Sequence, residues 1–234
     1  MPFTYVITDI HGRYDLLMKA VEQVRADLES RAETAQLVFL GDYVDRGPQS
    51  REVVEFLSGE LMGVTCLKGN HEELMIQALQ NRDPEIALTW TVNGGQATLR
   101  SYEAIASEEF GTDTTLAHHV EWMAGLPSAC EDEHRIYVHA GLMPRVPLAA
   151  QEDEVLLWIR ERFLRARAAE FPDGKHIVHG HTPSWARKLD PSQPELLPHR
   201  TNLDTGAFAT GVLTVGVFDA NLPGGPVATI PVTL

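Results

Sequence analysis

The chain has 234 residues, of which 44% are hydrophobic and 22% charged, and its 19 Lys plus Arg face 33 Asp plus Glu for a formal net charge of −14. This is the composition of a globular chain long enough for one large core, and a single domain over 1–234 is expected. It excludes a membrane span, for want of an apolar run near 18 residues, and a nucleic-acid partner, whose phosphate backbone needs a basic stripe.

The sequence opens on Met1-Pro2 and enters an apolar run almost at once. A basic region, apolar stretch and cleavage site do not fit before it, so a cytoplasmic protein is expected. Cys66, in an apolar run, and Cys130, in a separate segment, then read as inert reduced thiols. Glu131-Asp132-Glu133 and Glu152-Asp153-Glu154 read as solvated faces of exposed helices.

Tyr5-Val6-Ile7, the first strand, is followed by Leu17, Val21, Val24 and Leu28 at helical spacing, which predicts an amphipathic helix over 13–31. Leu37-Val38-Phe39-Leu40 and Val64-Thr65-Cys66-Leu67 are the next buried strands, and helices are predicted over 50–59 from Ser50 and from Asn70 onward. Three strand–helix units in succession argue for a layered α/β architecture. From 84 to 125 the pattern is helical and broken by Asn93-Gly94-Gly95, an insertion over the strand ends. Ile136-Tyr137-Val138 is a further strand. Beyond it, short strands near 176–179, 200–203, 211–218 and 227–231 between Pro- and Gly-rich turns suggest an antiparallel or mixed second sheet. Packing the two sheets gives a β-sandwich with helices outside.

Five apolar runs each end in a short polar segment: Asp9-Ile10-His11-Gly12, Gly41-Asp42-Tyr43-Val44-Asp45-Arg46-Gly47, Gly69-Asn70-His71-Glu72, His139-Ala140-Gly141 and Gly180-His181-Thr182. Open α/β sheets collect ligands at the carboxyl ends of their strands, so these segments predict one metal site assembled by folding. Asp9 and His11, two apart at a strand end, can reach one cation. Asp42, with two carboxylate oxygens, can bridge it to a second cation held by Asn70, His139 and His181. Mixed oxygen and nitrogen donors without thiolate suit Mn²⁺, Fe or Zn²⁺ better than Mg²⁺ or Ca²⁺, and manganese is favoured. Singly, each residue has an ordinary alternative, because Asp and Asn form turns and caps and lone histidines are often hydrogen-bonded surface groups; five segments together outweigh it. His118, His119, His134, His176 and His199 lack such settings and read as packed or solvated residues. His179, two before His181, is open between ordinary packing and a supporting place behind the site.

Asp45 and His71 fall outside this ligand set. A carboxylate beside an imidazole raises its pKa and fixes its tautomer, which makes His71 the expected general acid with Asp45 as its partner. Arg46, in a glycine-bounded turn, offers a planar fork to phosphate oxygens, and Asn70 is expected at the phosphate as well as at the metal. Two divalent cations would bring a shared water to a near-neutral pKa for in-line attack on phosphorus, with His71 protonating the leaving alkoxide. Neither cysteine has the Cys-x5-Arg setting of thiol phosphatases.

These motifs closely resemble the calcineurin-like metallophosphoesterases of the phosphoprotein phosphatase family, in particular bacterial and bacteriophage serine/threonine phosphatases. The resemblance runs from Asp9-x-His11-Gly12 through Gly180-His181-Thr182 to Asn202-Leu203-Asp204-Thr205-Gly206-Ala207. It implies a double β-sandwich flanked by helices, the ligand roles above, and hydrolysis of a phosphorylated protein or a small phosphomonoester. It also implies a second phosphate-binding arginine after the His139 segment, and Trp158-Ile159-Arg160 matches that element. Arg162 is the rival; two residues on a helix differ by about 200°, so one of the two can face the phosphate, and Arg160 is the choice. Asp204 matches a family position near the metals, and reads equally as a turn-forming Asp before Gly206. Symmetrical dinucleoside tetraphosphate hydrolases share the DxHG and GNH elements, but the second aspartate of GDxxDRG is typically replaced there and GNHE tends to GNHD. Asp45 and Glu72 therefore favour the phosphatase over that alternative. An inactive phosphate-sensing scaffold on the same fold is the remaining reading, disfavoured because no proposed ligand or acid is missing.

Overall fold

Side-chain alternation in the strands decides the layers. The structure, a computed structural model, describes residues 2–59, 63–80, 84–102 and 114–234. In β1 (Phe3–Ile7) and β2 (Ala35–Phe39), Val6 and Val38 face one side while Tyr5, Ile7 and Phe39 face the other. β5 (Arg135–Val138) and β6 (His176–His179) alternate likewise, Tyr137 and Val178 on one face and Ile136, Val138 and Ile177 on the other. Val6, Val38, Leu40 and Leu67 meet Tyr137, Val178, Leu203 and Phe218 between two sheets.

The first sheet has the order β10-β9-β1-β2-β3, with β3 (Val64–Cys66), β9 (Leu213–Asp219) and β10 (Ala228–Val232). β1, β2 and β3 are parallel, and β9 runs antiparallel to β1 and β10. The second has the order β4-β5-β6-β8-β7, with β4 (Ala129–Glu131), β7 (Glu195–Leu197) and β8 (Arg200–Asn202), and its central β5, β6 and β8 are parallel. A second sheet made of the last four strands is therefore corrected: β9 and β10 complete the first sheet, where Val6 pairs with Gly216. The pattern of β9 could not reveal this. Val215 and Val217 pack toward the helices and Phe218 toward the other sheet, so both faces are buried and no partner is specified.

Helices α1 (Tyr14–Arg31), α2 (Ser50–Ser58), α3 (Asn70–Gln80) and α6 (Thr114–Ala124) cover the first sheet, contributing Leu16, Leu17, Val53, Val54, Met75 and Met123 to its outer core. α7 (Asp153–Trp158) and α8 (Glu161–Leu164) cover the second through Leu156, Phe163 and Leu164. Of the helical insertion expected over 84–125, residues 103–113 lie outside the described residues. α4 (Pro84–Trp90) packs on α3, and α5 (Gln96–Ser101) packs on α2. The acidic run Glu131-Asp132-Glu133 is not helical as expected: Glu131 ends β4, and the Asp132 carboxylate accepts the His134 and Arg135 N–H groups in the turn to β5. Cys66 and Cys130 are free, part-buried thiols whose pKa burial pushes up to about 12. Among the described residues no helix is long and apolar enough to cross a membrane.

Candidate active site

The loops that follow β1, β2 and β6 are held in a costly backbone conformation. Among the described residues nine non-glycine residues have positive φ, and six of them are Asp9, His11, Asp42, Asp45, Arg46 and His181. Each such residue costs on the order of 1–3 kcal/mol, and strain of this kind gathers at functional sites. The first two loops lace together, since the Asp9, His11 and Gly12 N–H groups donate to Gly41, Asp42 and Tyr43 carbonyls. The fully buried Glu72 carboxylate braces them, accepting N–H bonds from Asp42 (2.7 Å), Tyr43 (2.8 Å), Gly69 (2.9 Å) and Val44 (3.2 Å). Burial and the Asp42 charge push its pKa up to about 8. Gly47 permits the contact: a Cβ there would lie 2.1 Å from the His11 carbonyl oxygen.

Two groups of potential metal donors share Asp42: His11, Asp42 and His71 form one, and Asp42, His139 and His181 the other, with the donor atoms of each within 4.8 Å of one another. Backbone carbonyls fix two of the imidazoles. Val44 O lies 2.8 Å from His11 Nδ1 and Leu40 O lies 2.9 Å from His139 Nδ1; a carbonyl can accept but not donate, so both Nδ1 atoms carry the proton and both Nε2 lone pairs face the site. His139 Nε2 lies 2.9 Å from Asn70 Oδ1 and 3.4 Å from Asp42 Oδ1, and His181 Nδ1 also lies 2.9 Å from Asn70 Oδ1. Acceptors converging this way are satisfied by a cation, and the buried His181 Nε2 has no hydrogen-bond partner. Burial holds the His11 and His181 pKa values well below the ordinary range, which keeps both neutral as a metal requires. The donor set thus fits divalent cations.

Asp9 stands next to these groups rather than within them. Its carboxylate accepts the His181 N–H at 3.0 Å and the Thr8 hydroxyl at 2.6 Å, tying the end of β1 to the loop after β6. By donor spacing alone the third member of the first group is His71, whose Nδ1 is already engaged by Asp45.

His71 Nδ1 and Asp45 Oδ2 lie 2.6 Å apart, both buried. Burial pulls the imidazole down, but the Asp42 charge and the Asp45 hydrogen bond outweigh it, and the His71 pKa ends above its ordinary value. Asp45 is itself held by residues the sequence did not single out. Trp90 Nε1 donates to both of its oxygens at 3.0 Å, and the Thr98 hydroxyl to Oδ1 at 2.7 Å. The available signal was Asn93-Gly94-Gly95, which lies in a π-helical turn, Thr91–Gly95, between the two donors. Gly94 has φ of 119° and its carbonyl accepts the Arg46 N–H at 3.2 Å; a Cβ on it would meet Arg46 at 2.8 Å.

The Arg46 guanidinium caps the first group, Nη1 2.6 Å from His11 Nε2 and Nη2 3.0 Å from His71 Nε2, with its Cζ 4.8 Å over the Phe208 ring. Arg160 is exposed and acts on the His181 pKa through its charge, and Trp158 sets its ring edge against His181 at 6.3 Å. The helical reasoning used to separate Arg160 from Arg162 is corrected: α7 ends at Trp158, and Arg160 sits at the non-helical junction before α8. The pair still diverges, because Arg162 lines a groove with Pro144 and Arg145.

His179 is packed rather than catalytic in placement. It is fully buried against Phe163 at 4.9 Å, with Arg200 Nη1 3.1 Å from Nε2. Asp204 takes the turn role, its Oδ1 accepting the Gly206 N–H at 2.8 Å, and burial together with the Asp9 charge raises its pKa. His176 and His119 are also buried and hydrogen-bonded, to Thr201 and Tyr102.

Known proteins share this framework. The chain is similar to serine/threonine-protein phosphatase 1 of Salmonella typhimurium, 29% identical over 215 residues that span 90% of this chain and 89% of that one. It is similar to the asymmetrical bis(5'-nucleosyl)-tetraphosphatase PrpE of Bacillus cereus, 25% identical over 89% of this chain and 87% of that protein. The fold is shared with the cold-active protein-tyrosine phosphatase of a Shewanella species, with a TM-score of 0.58 at 17% identity, covering 100% of this chain and 81% of that one. The sequence pattern of the calcineurin-like phosphoesterases matches residues 4–208, and the chain belongs to that family.

Proposed function

We propose that this phosphoesterase is a single-domain, cytoplasmic, metal-dependent phosphomonoester hydrolase that removes phosphate from serine and threonine residues of proteins. The observation that carries the reading is the Asp45–His71 pair, 2.6 Å apart, standing beside two donor groups that share Asp42. Asp9, His11 and Asp42 are proposed to hold one divalent cation, and Asp42, Asn70, His139 and His181 the other, with manganese favoured over Fe or Zn²⁺ for this oxygen and nitrogen set. When bound, such a pair supplies a nucleophile from water near neutral pH.

The chain's own residues do the rest. Arg46 and Arg160 bind phosphate oxygens through planar forks, and Asn70, beside His139 and His181, is assigned a phosphate contact as well. A phosphate that draws Arg46 away from His71 Nε2 frees that nitrogen to carry a proton. Asp45 holds the ring by Nδ1, so the proton at Nε2 is aimed at the leaving oxygen.

A second reading, hydrolysis of a dinucleoside tetraphosphate, is favoured by the similarity to the Bacillus cereus enzyme, and in the asymmetrical rather than the symmetrical mode. Turnover of phosphoserine and phosphothreonine peptides and of diadenosine tetraphosphate, with Mn²⁺, Fe²⁺ or Zn²⁺ in turn, separates the two. Peptide turnover well above that of the dinucleotide is expected; the reverse order overturns the phosphatase reading, and no metal-dependent turnover of any phosphoester overturns both.

A further inference from the structure

Arginine is unevenly placed in this acidic chain. Arg160, Arg162, Arg165 and Arg167 fall within eight residues, and Arg145 packs against the same stretch, where the balance is five arginines to two glutamates. Arg145, Arg162 and Arg165 line a groove of about 460 Å³ together with Pro144, Glu161 and Glu170. The loop carrying Arg145 is fixed to it, since the Arg145 backbone N–H donates to Glu170 O at 2.6 Å. Arg145 pairs with Glu170 at 3.2 Å and Arg165 with Glu161 at 2.6 Å, but both arginines are 79% exposed, and such pairs exchange readily for another carboxylate. Arg160 directly precedes the groove residue Glu161, its charge is felt by His181, and it lies two residues after the Trp158 ring that meets His181. A chain of net charge −14 repels an anionic polypeptide over most of its surface, and this patch is where it would be drawn in.

We propose that this groove binds the acidic residues flanking the phosphorylated residue of a polypeptide substrate, making the enzyme selective for acidic phosphorylation sites. The inference rests on the phosphoprotein reading above and deepens it. From Glu161 to Arg165 a helical rise of about 1.5 Å per residue covers roughly 6 Å beyond the Arg160 junction, and an extended peptide advances about 3.3 Å per residue, so side chains two to four residues from the phosphate can reach the groove. Arginine forks match carboxylates bidentately. Glu161 and Glu170 in the same lining disfavour a continuous polyphosphate chain and suit carboxylates spaced along a peptide.

The test uses phosphoserine peptides flanked by Glu, by Ala or by Lys, the Arg145→Ala/Arg162→Ala/Arg165→Ala variant, and nitrophenyl phosphate as control. The Glu-flanked peptide is expected to have the lowest KM, to lose about fivefold to tenfold in the variant, and to weaken as salt rises, while nitrophenyl phosphate turnover is unchanged. The charge-reversed Arg162→Glu/Arg165→Glu variant should instead prefer the Lys-flanked peptide. Peptides hydrolysed equally whatever their flanks overturn the inference and leave the phosphatase reading intact. Fluorescence anisotropy with a labelled Glu-flanked phosphoserine peptide separates the opposite case: groove-dependent binding without peptide turnover overturns the phosphatase reading and keeps the groove. Groove-dependent turnover of inorganic polyphosphate, with no effect of peptide flanks, assigns the arginines to another ligand and overturns the proposal.

Discussion

Trp90 aims its indole N–H at Asp45, 3.0 Å from each carboxylate oxygen and 45 positions away in sequence. With the Thr98 hydroxyl and His71 Nδ1 it leaves a fully buried carboxylate hydrogen-bonded on both oxygens, so the orientation of His71 is set from α4 and α5 as well as from the loop after β2. Trp90→Phe keeps the ring and removes the donor. We expect a loss of about 1–3 kcal/mol in urea unfolding, the usual cost of stranding a buried group, and a fall in kcat on phosphoserine of about tenfold. Unchanged kcat with full metal content would make Trp90 a packing residue alone.

Arg46→Ala and Arg160→Ala should raise KM for substrate and Ki for inorganic phosphate while both metals stay bound, because each removes a charge-assisted contact. Arg162→Ala should be mild on nitrophenyl phosphate. Gly94→Ala should copy part of the Arg46 defect, since its Cβ would press on Arg46 at 2.8 Å and its φ of 119° is strained for alanine. Steady-state kinetics on the four variants check this; a severe Arg162 defect beside a near-normal Arg160 variant reverses the choice between them.

Asp42→Asn and His139→Ala should lose metal and activity together. Asp42 belongs to both donor groups, and the three histidines His139, His71 and His11 oppose its burial and hold its carboxyl below the ordinary range, so it presents charge to both cations. Elemental analysis of purified variants is the measurement. Two metals retained with normal turnover would refute the ligand assignment.

Much of this site was legible because strand ends carry their ligands in short segments: Asp42 and His139 each follow an apolar run, and folding needs only to bring those runs into adjacent sheets. The partners of Asp45 were not legible. Trp90 and Thr98 sit at helical positions where an aromatic and a hydroxyl residue read as ordinary packing, and their meaning depends on how α4 and α5 dock on α3 and α2. Sheet membership failed for a related reason: β9 is buried on both faces, and its pairing with β1 joins residues more than 200 positions apart, so local pattern carries no register. Nothing in Trp158-Ile159-Arg160-Glu161-Arg162, which lacks glycine and proline, marks a helix end, whereas the chain breaks at Arg160 with ψ of −103°.

His71→Asn should keep both metals yet lose roughly 10²- to 10⁴-fold in kcat on phosphoserine, the range of a positioned general acid. The loss should shrink on nitrophenyl phosphate, whose leaving group departs without a proton, so the ratio of the two defects isolates proton donation from damage to binding. Asp45→Asn should show a weaker form of the same pattern. The pH dependence gives the sign: an acid works when protonated, and the His71 pKa stands above its ordinary value, so activity on phosphoserine persists at near-neutral pH and falls as pH rises through that raised pKa. Removing the Asp45 charge lowers the pKa and moves the fall to lower pH. Both variants measured on both substrates across pH decide the role; equal losses on the two leaving groups would exclude His71 as the proton donor and leave it to orient the attacking water.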